Sequence, residues 1–272
     1  MPDAMESGPN GRVLLEMQDN VAVLTLNDPS VLNAMGVKLR QDLTWALDEL
    51  ETSDARCLMI TGAGRAFCSG ANLNDPDRRP RDRAAEARGE VKSELETWYN
   101  PFFLRLRDLK IPVVTAINGI AAGVGMSLAL VGDIRIAARS ASFLQAFARI
   151  GLVPDGGSSY TLPRLIGMAR AMELSMLAER LPAEKALEWG LINRVVHDPD
   201  LPGAALEIAR GLADGPASLG LIRKMYWASL DNTYEQQLDL EARLQKKAGL
   251  TTDHTEGVTA FREKRRTRFT GR

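Results

Sequence analysis

Two glycine-rich stretches and one isolated carboxylate hold most of the chemistry in this sequence. GRAFCSGANL, Gly64 to Leu73, and NGIAAGVGMSLAL, Asn118 to Leu130, each follow a short apolar run, ending at Thr61 or Ile117. Both read as strand, glycine turn, helix start. Glycine lets the backbone come close to a ligand, and the first N–H groups of a helix lack intrahelical partners and suit a negative oxygen. Two such turns meeting at one point make an oxyanion hole of main-chain donors. The alternative is two tight turns with glycine used only for packing. Neither Gly62-Ala63-Gly64 nor Gly123-Val124-Gly125 completes the G-x-G-x-x-G dinucleotide fingerprint, and the chain has no Walker A sequence.

The third stretch, Ala141 to Gly167, holds Asp155 between Leu152-Val153-Pro154 and Gly156-Gly157. Apolar neighbours desolvate a carboxylate and raise its pKa toward the range useful for proton transfer. The competing role is to cap the helix that starts near Gly157. His197 and His254 lie far apart without metal-ligand spacing, so a zinc site is not expected. Cys57 and Cys68 cannot build a disulfide framework, which points to a reducing, cytoplasmic setting.

The elements that must position these groups follow from apolar periodicity. Arg12 to Met17 and Val21 to Leu26 read as a hairpin, and Leu39, Leu43, Leu47 and Leu50 place a helix over Gly36 to Thr52. Strands are expected at Arg56 to Thr61, Val113 to Ile117 and Ile134 to Ala138, with a helix from Val124 to Val131. Asn74 to Glu90, crowded with Arg, Asp and Pro, reads as a solvated, mobile loop. A helix from Val91 to Leu109, broken at Pro101, should follow it. After Asp155 the chain is mostly helical, with Ile192 to Val196 as its one late strand. The expected organisation is a disordered leader over 1–11, an α/β core over 12–200 and a helical region over 201–272.

The 272 residues are 45% hydrophobic and 25% charged, an ordinary globular composition. Lys and Arg number 34 against 35 Asp and Glu, which argues against bulk nucleic-acid or membrane binding. The tail from Phe261 to Arg272 is locally basic, with six Lys or Arg and one Glu. A nucleic-acid role for that tail is the weakest reading.

Together, the three stretches in this order and spacing resemble the crotonase (enoyl-CoA hydratase/isomerase) superfamily. Further matching pieces are Pro29 to Met35, Gly132-Asp133-Ile134 and Glu256 to Phe261. The resemblance implies an α/β spiral of ββα units with a C-terminal helical trimerisation region, assembled as a homotrimer or homohexamer. It implies acyl-CoA thioester substrates whose carbonyl oxygen is held by the N–H groups of Ala71 and Val124. Ala34, Asn72, Leu73, Asn74 and Gly123 would lie along the CoA thioester. Lys264 is a candidate for its phosphates, weighed against a solvated charged face; Val31 stands where many relatives carry a basic residue. The two glutamates that activate water in hydratases map to Ser127 and Phe147, neither of them a carboxylate. Asp155 falls where several isomerase-like members and the aryl-CoA dehalogenases carry a working aspartate. The text around it is most similar to ring 1,2-epoxyphenylacetyl-CoA isomerases of phenylacetate catabolism. The resemblance thus implies an isomerase, with Asp155 shuttling a proton and Ser127 packed inside its helix. A hydratase of fatty-acid oxidation and a non-catalytic acyl-CoA-binding relative are the alternatives.

Overall fold

Runs of apolar residues without polar alternation belong to strands covered on both faces, and the centre of this fold is made of them. The computed structural model describes residues 5–78, 80 and 82–272. Its strands are β1 (Met5–Ser7), β2 (Val13–Gln18), β3 (Val21–Leu26), β4 (Cys57–Gly62), β5 (Ala66–Cys68), β6 (Val113–Ile117), β7 (Ile120–Ala122), β8 (Ile134–Ala138), β9 (Ser142–Leu144), β10 (Arg180–Pro182) and β11 (Arg194–Val196). The helices are α1 (Val37–Thr52), α2 (Arg83–Ala87), α3 (Asn100–Asp108), α4 (Val124–Leu130), α5 (Ser158–Ile166), α6 (Met168–Leu177), α7 (Ala183–Glu188), α8 (Leu201–Ala213), α9 (Ser218–Ser229), α10 (Tyr234–Gly249) and α11 (Thr252–Glu263).

A seven-stranded sheet runs β1-β2-β3-β4-β6-β8-β11 and a four-stranded sheet runs β10-β9-β7-β5. The β2–β3 hairpin is antiparallel, and β3, β4, β6, β8 and β11 are parallel. Each of the pairs β4–β5, β6–β7 and β8–β9 gives one strand to each sheet, so the chain winds between two layers. Every residue of β6 is buried, as is every residue of α4, which packs on strands of both sheets. The stripe Leu39, Leu43, Leu47 and Leu50 seats α1 on β2 and β3. Ala205, Ala209 and Ala213 let α8 lie close on β4 and β6. Cys57 and Cys68 are buried in β4 and β5, and burial pushes both thiols up to about 12.

Several elements depart from the expectation. Met5–Ser7, inside the stretch read as a leader, pairs with β2 as an edge strand. The helix expected from Val91 starts instead with one π-helical turn, Leu95–Tyr99, leading into α3. Pro101 sits where the π-helical turn passes into α3, so the expected break is a change of helix type within a continuous run rather than an end. β10 is a second late strand, and α11 was not anticipated. The charge-rich 74–90 stretch contains α2, capped by the Asp82 carboxylate on the Ala85 N–H. It is also fastened at its start, since Asp75 accepts from the first N–H of α1 and Arg78 pairs with Glu94 at 3.0 Å. Among the described residues no helix is long and apolar enough to cross a membrane.

Candidate active site

The first glycine turn leaves β5 and meets the chain just before α1. Met35 N–H donates to the Gly70 carbonyl at 2.7 Å, and Asn72 N–H donates to the Met35 carbonyl at 3.3 Å. This single parallel bridge uses the groups on either side of Ala71. The Ala71 N–H therefore points away from Met35, with no backbone acceptor among the described residues. Asn33 and Asn118 hold the turn from behind. The buried Asn33 amide donates to the carbonyls of Ala63, Ala66 and Phe67, and the Asn118 amide donates to Gly64 and Ala66.

The second turn leaves β7 and enters α4 through Gly123, whose N–H donates to the Leu144 carbonyl at 2.9 Å. Val124 carries the first N–H of α4, which has no carbonyl one turn earlier to accept it. The two turns touch. A Cβ added at Gly70 would lie 2.9 Å from the Ala122 carbonyl oxygen, and Gly70 has φ +103°, so only glycine fits without displacement. The structure thus puts Ala71 and Val124, whose N–H groups have no main-chain acceptor among the described residues, on adjoining turns, while the Gly123 N–H is taken by Leu144.

Asp155 lies on the loop before α5. Its Oδ1 is buried and has no hydrogen-bond partner among the described residues. Burial raises its pKa to about 6. The capping alternative fails, because Gly157 is the N-cap of α5 and no side chain caps that end. The Asp155 main-chain carbonyl, by contrast, is heavily used. It accepts from Ser127 Oγ at 2.9 Å, Ser158 N–H at 3.1 Å and Ser158 Oγ at 3.0 Å. Ser127 therefore does more than pack, a contact the sequence does not show because the two residues are 28 positions apart.

The surroundings are aromatic. The buried Phe147 ring faces Gly123, and Phe103 lies against Gly156. Trp98 stacks on Phe102 at 4.7 Å, and Tyr99 of the π-helical turn senses the charge of Asp155. The Arg40 guanidinium covers Trp98 and Tyr99 and pairs with Glu94 at 3.1 Å, locking this wall.

Of the residues expected along CoA, Ala34 is buried beside the Met35–Ala71 bridge. Asn72 is half-buried, with its side-chain oxygen accepting from Asn74 N–H at 3.1 Å, and Leu73 and Asn74 are exposed. Val31 is exposed at the end of a short 3-10 turn. Lys264 stands apart from this group, exposed at the C-terminal end of α11.

The profile of the enoyl-CoA hydratase/isomerase family matches residues 16–272. The chain belongs to that family. A 1,2-epoxyphenylacetyl-CoA isomerase of Escherichia coli is 45% identical over 96% of this chain and 98% of the relative. A Rhodobacter capsulatus protein whose name reads probable enoyl-CoA hydratase is 44% identical over 94% of this chain and 97% of its own. Among solved structures, an enoyl-CoA hydratase from Bacillus anthracis superposes with a TM-score of 0.86 at 30% identity, covering 96% of this chain and all of that one. This family enzyme carries the crotonase fold that its sequence motifs implied.

Proposed function

We propose that this enzyme is an isomerase of enoyl-CoA-type thioesters that moves a proton without adding water. The observation that carries the reading is Asp155, whose Oδ1 is the one buried carboxylate oxygen without a partner among the described residues, on a loop bonded to the helix that begins with the Val124 N–H. The thioester oxygen accepts from Ala71 and Val124 N–H, and Asp155 removes a proton from one carbon of the acyl chain. Negative charge then collects on the oxygen as an enolate. Each donor lowers the barrier by roughly 3 kcal/mol, as oxyanion-hole donors do elsewhere. Asp155 returns the proton at the other end of the conjugated system, so the double bond shifts and nothing is gained or lost. Its raised pKa suits both directions of transfer near neutral pH. All these steps use groups of the chain and its substrate, and no metal or cofactor enters.

Ser127 and Phe147 oppose hydration. Phenylalanine offers a water no hydrogen bond, and Ser127 spends its hydroxyl on Asp155. The aromatic wall and the likeness to the Escherichia coli relative support a ring-bearing acyl group and, with it, a role in phenylacetate catabolism. Ala34, Asn72, Leu73 and Asn74 line the CoA path in this reading, with Lys264 at the phosphates. A homotrimer or homohexamer in the cytoplasm completes it. The second reading, hydration, is favoured by the Rhodobacter capsulatus relative.

Mass spectrometry of 2-enoyl-, 3-enoyl- and ring-epoxide CoA thioesters incubated with the enzyme in heavy water tests the proposal. Deuterium uptake with rearrangement and no added water is expected. Gain of a water molecule would make the enzyme a hydratase, and no change with any of these thioesters would leave only binding.

A further inference from the structure

Ser127 sits on the buried helix α4, one turn beyond the Val124 N–H, and its hydroxyl donates to the Asp155 main-chain carbonyl at 2.9 Å. A second contact runs alongside. Gly156 adopts φ +58°, and a Cβ there would lie 2.8 Å from Ser127 Cβ and 2.9 Å from the Phe103 ring. The loop carrying Asp155 therefore rests directly on Ser127, with no space between them for a longer side chain. One small residue with a donor both admits the loop and fastens it to the helix that presents the oxyanion donor.

We infer that Ser127 is a positioning residue for proton transfer, setting the distance between the Asp155 carboxylate and the Val124 N–H. The inference rests on Asp155 being the proton shuttle. Deleting the hydroxyl lets the loop lift from α4 and admits water to the carboxylate. The proton then goes on and off at the wrong distance from the held oxygen, while thioester binding, which is largely main-chain, persists.

The test compares the full-length enzyme with Ser127→Ala. Two readings are taken: kcat and KM on the thioester turned over in the heavy-water assay, and NMR titration of the Asp155 carboxyl carbon. The charged and titratable groups on this side are the Arg40–Glu94 ion pair, Tyr99 on the π-helical turn and Cys68 on β5, the last two pushed up to about 12. Because the signal is that of the Asp155 carboxyl carbon, a titration near 6 is assigned to this residue by its resonance. Expected in Ser127→Ala are a kcat lower by about tenfold, the worth of one buried hydrogen bond, and a KM within about twofold. The Asp155 titration should move down from about 6 toward 3.8. Ser127→Cys fills the same space with a weaker donor and should fall between the two, and it carries the test if Ser127→Ala does not fold. An unmoved titration in both variants, or a change in KM alone, overturns the inference. Full turnover in Asp155→Asn would instead remove the proton-shuttle reading beneath it, a separate failure that the titration does not report.

Discussion

The two sides of the candidate site are built from different materials. The oxyanion side consists of main-chain N–H groups on two turns that touch at Gly70 and Ala122. The proton-transfer side is one carboxylate on a loop, without a side-chain partner among the described residues and held through its main-chain carbonyl. A main-chain donor survives a change of its own side chain but fails when the turn moves. A side-chain acid fails at one substitution. The first side thus tolerates variation at Ala71 and Val124 and forbids it at Gly70, while the second fails both at Asp155 itself and where its loop is held, at Ser127 and Gly156.

Asp155→Asn should give the largest effect, a loss of turnover of about a thousandfold with KM little changed, read by steady-state kinetics. In the wild type, kcat/KM should rise with pH through about 6, because only the ionised carboxylate accepts a proton. The stability effect has the opposite sign. The folded-state pKa lies above the ordinary 3.8, so the folded form holds this proton more tightly and loses stability as pH rises from about 4 to 6. Asp155→Asn should therefore melt higher than wild type at pH 7.5, and the gap should close near pH 4. A wild type that melts no lower at pH 7.5 would mean that Asp155 is better solvated than the structure has it.

Gly70→Ala comes next. The added methyl and φ +103° push the first turn off the second, so kcat should drop on the order of a hundredfold, as when one oxyanion donor is lost. Wild-type kinetics in this variant would separate the two turns and break the comparison. Val124→Gly should do least. It keeps the N–H, so kcat should stay within about threefold, while the melting temperature falls with roughly 2–4 kcal/mol of lost burial and added backbone freedom. A large kcat loss there would show that the valine side chain shapes the acyl pocket.

Legibility in the sequence followed element length and apolar content, not burial alone: α10 was readable although none of its residues is buried. β6 and β8 could be read residue for residue, because each is a five-residue, mostly aliphatic run interrupted by only one polar residue, Thr115 or Arg135. The second sheet was invisible. Ala66–Cys68, Ile120–Ala122, Ser142–Leu144 and Arg180–Pro182 are three residues each, too short for any period to register. α11 offers only Val258, Ala260 and Phe261 as apolar positions, all in its second half, so no stripe marks it, whereas α10 carries Leu238, Leu240 and Leu244. At the site, glycine spacing pointed to both turns and the apolar flanks pointed to Asp155. The Met35–Ala71 bridge and the Ser127–Asp155 bond join residues far apart in the chain, and such contacts leave no local mark.

Both of the chain's cysteines lie in the sheets with their thiols pushed up to about 12, so neither offers a thiolate to an alkylating reagent at neutral pH. The folded enzyme is in effect a blank for thiol chemistry. A cysteine introduced at Leu73 or Val153, 56% and 80% exposed on the loops that carry Ala71 and Asp155, becomes its single labelling point. A fluorophore there can follow thioester binding with the native sulfurs left in place.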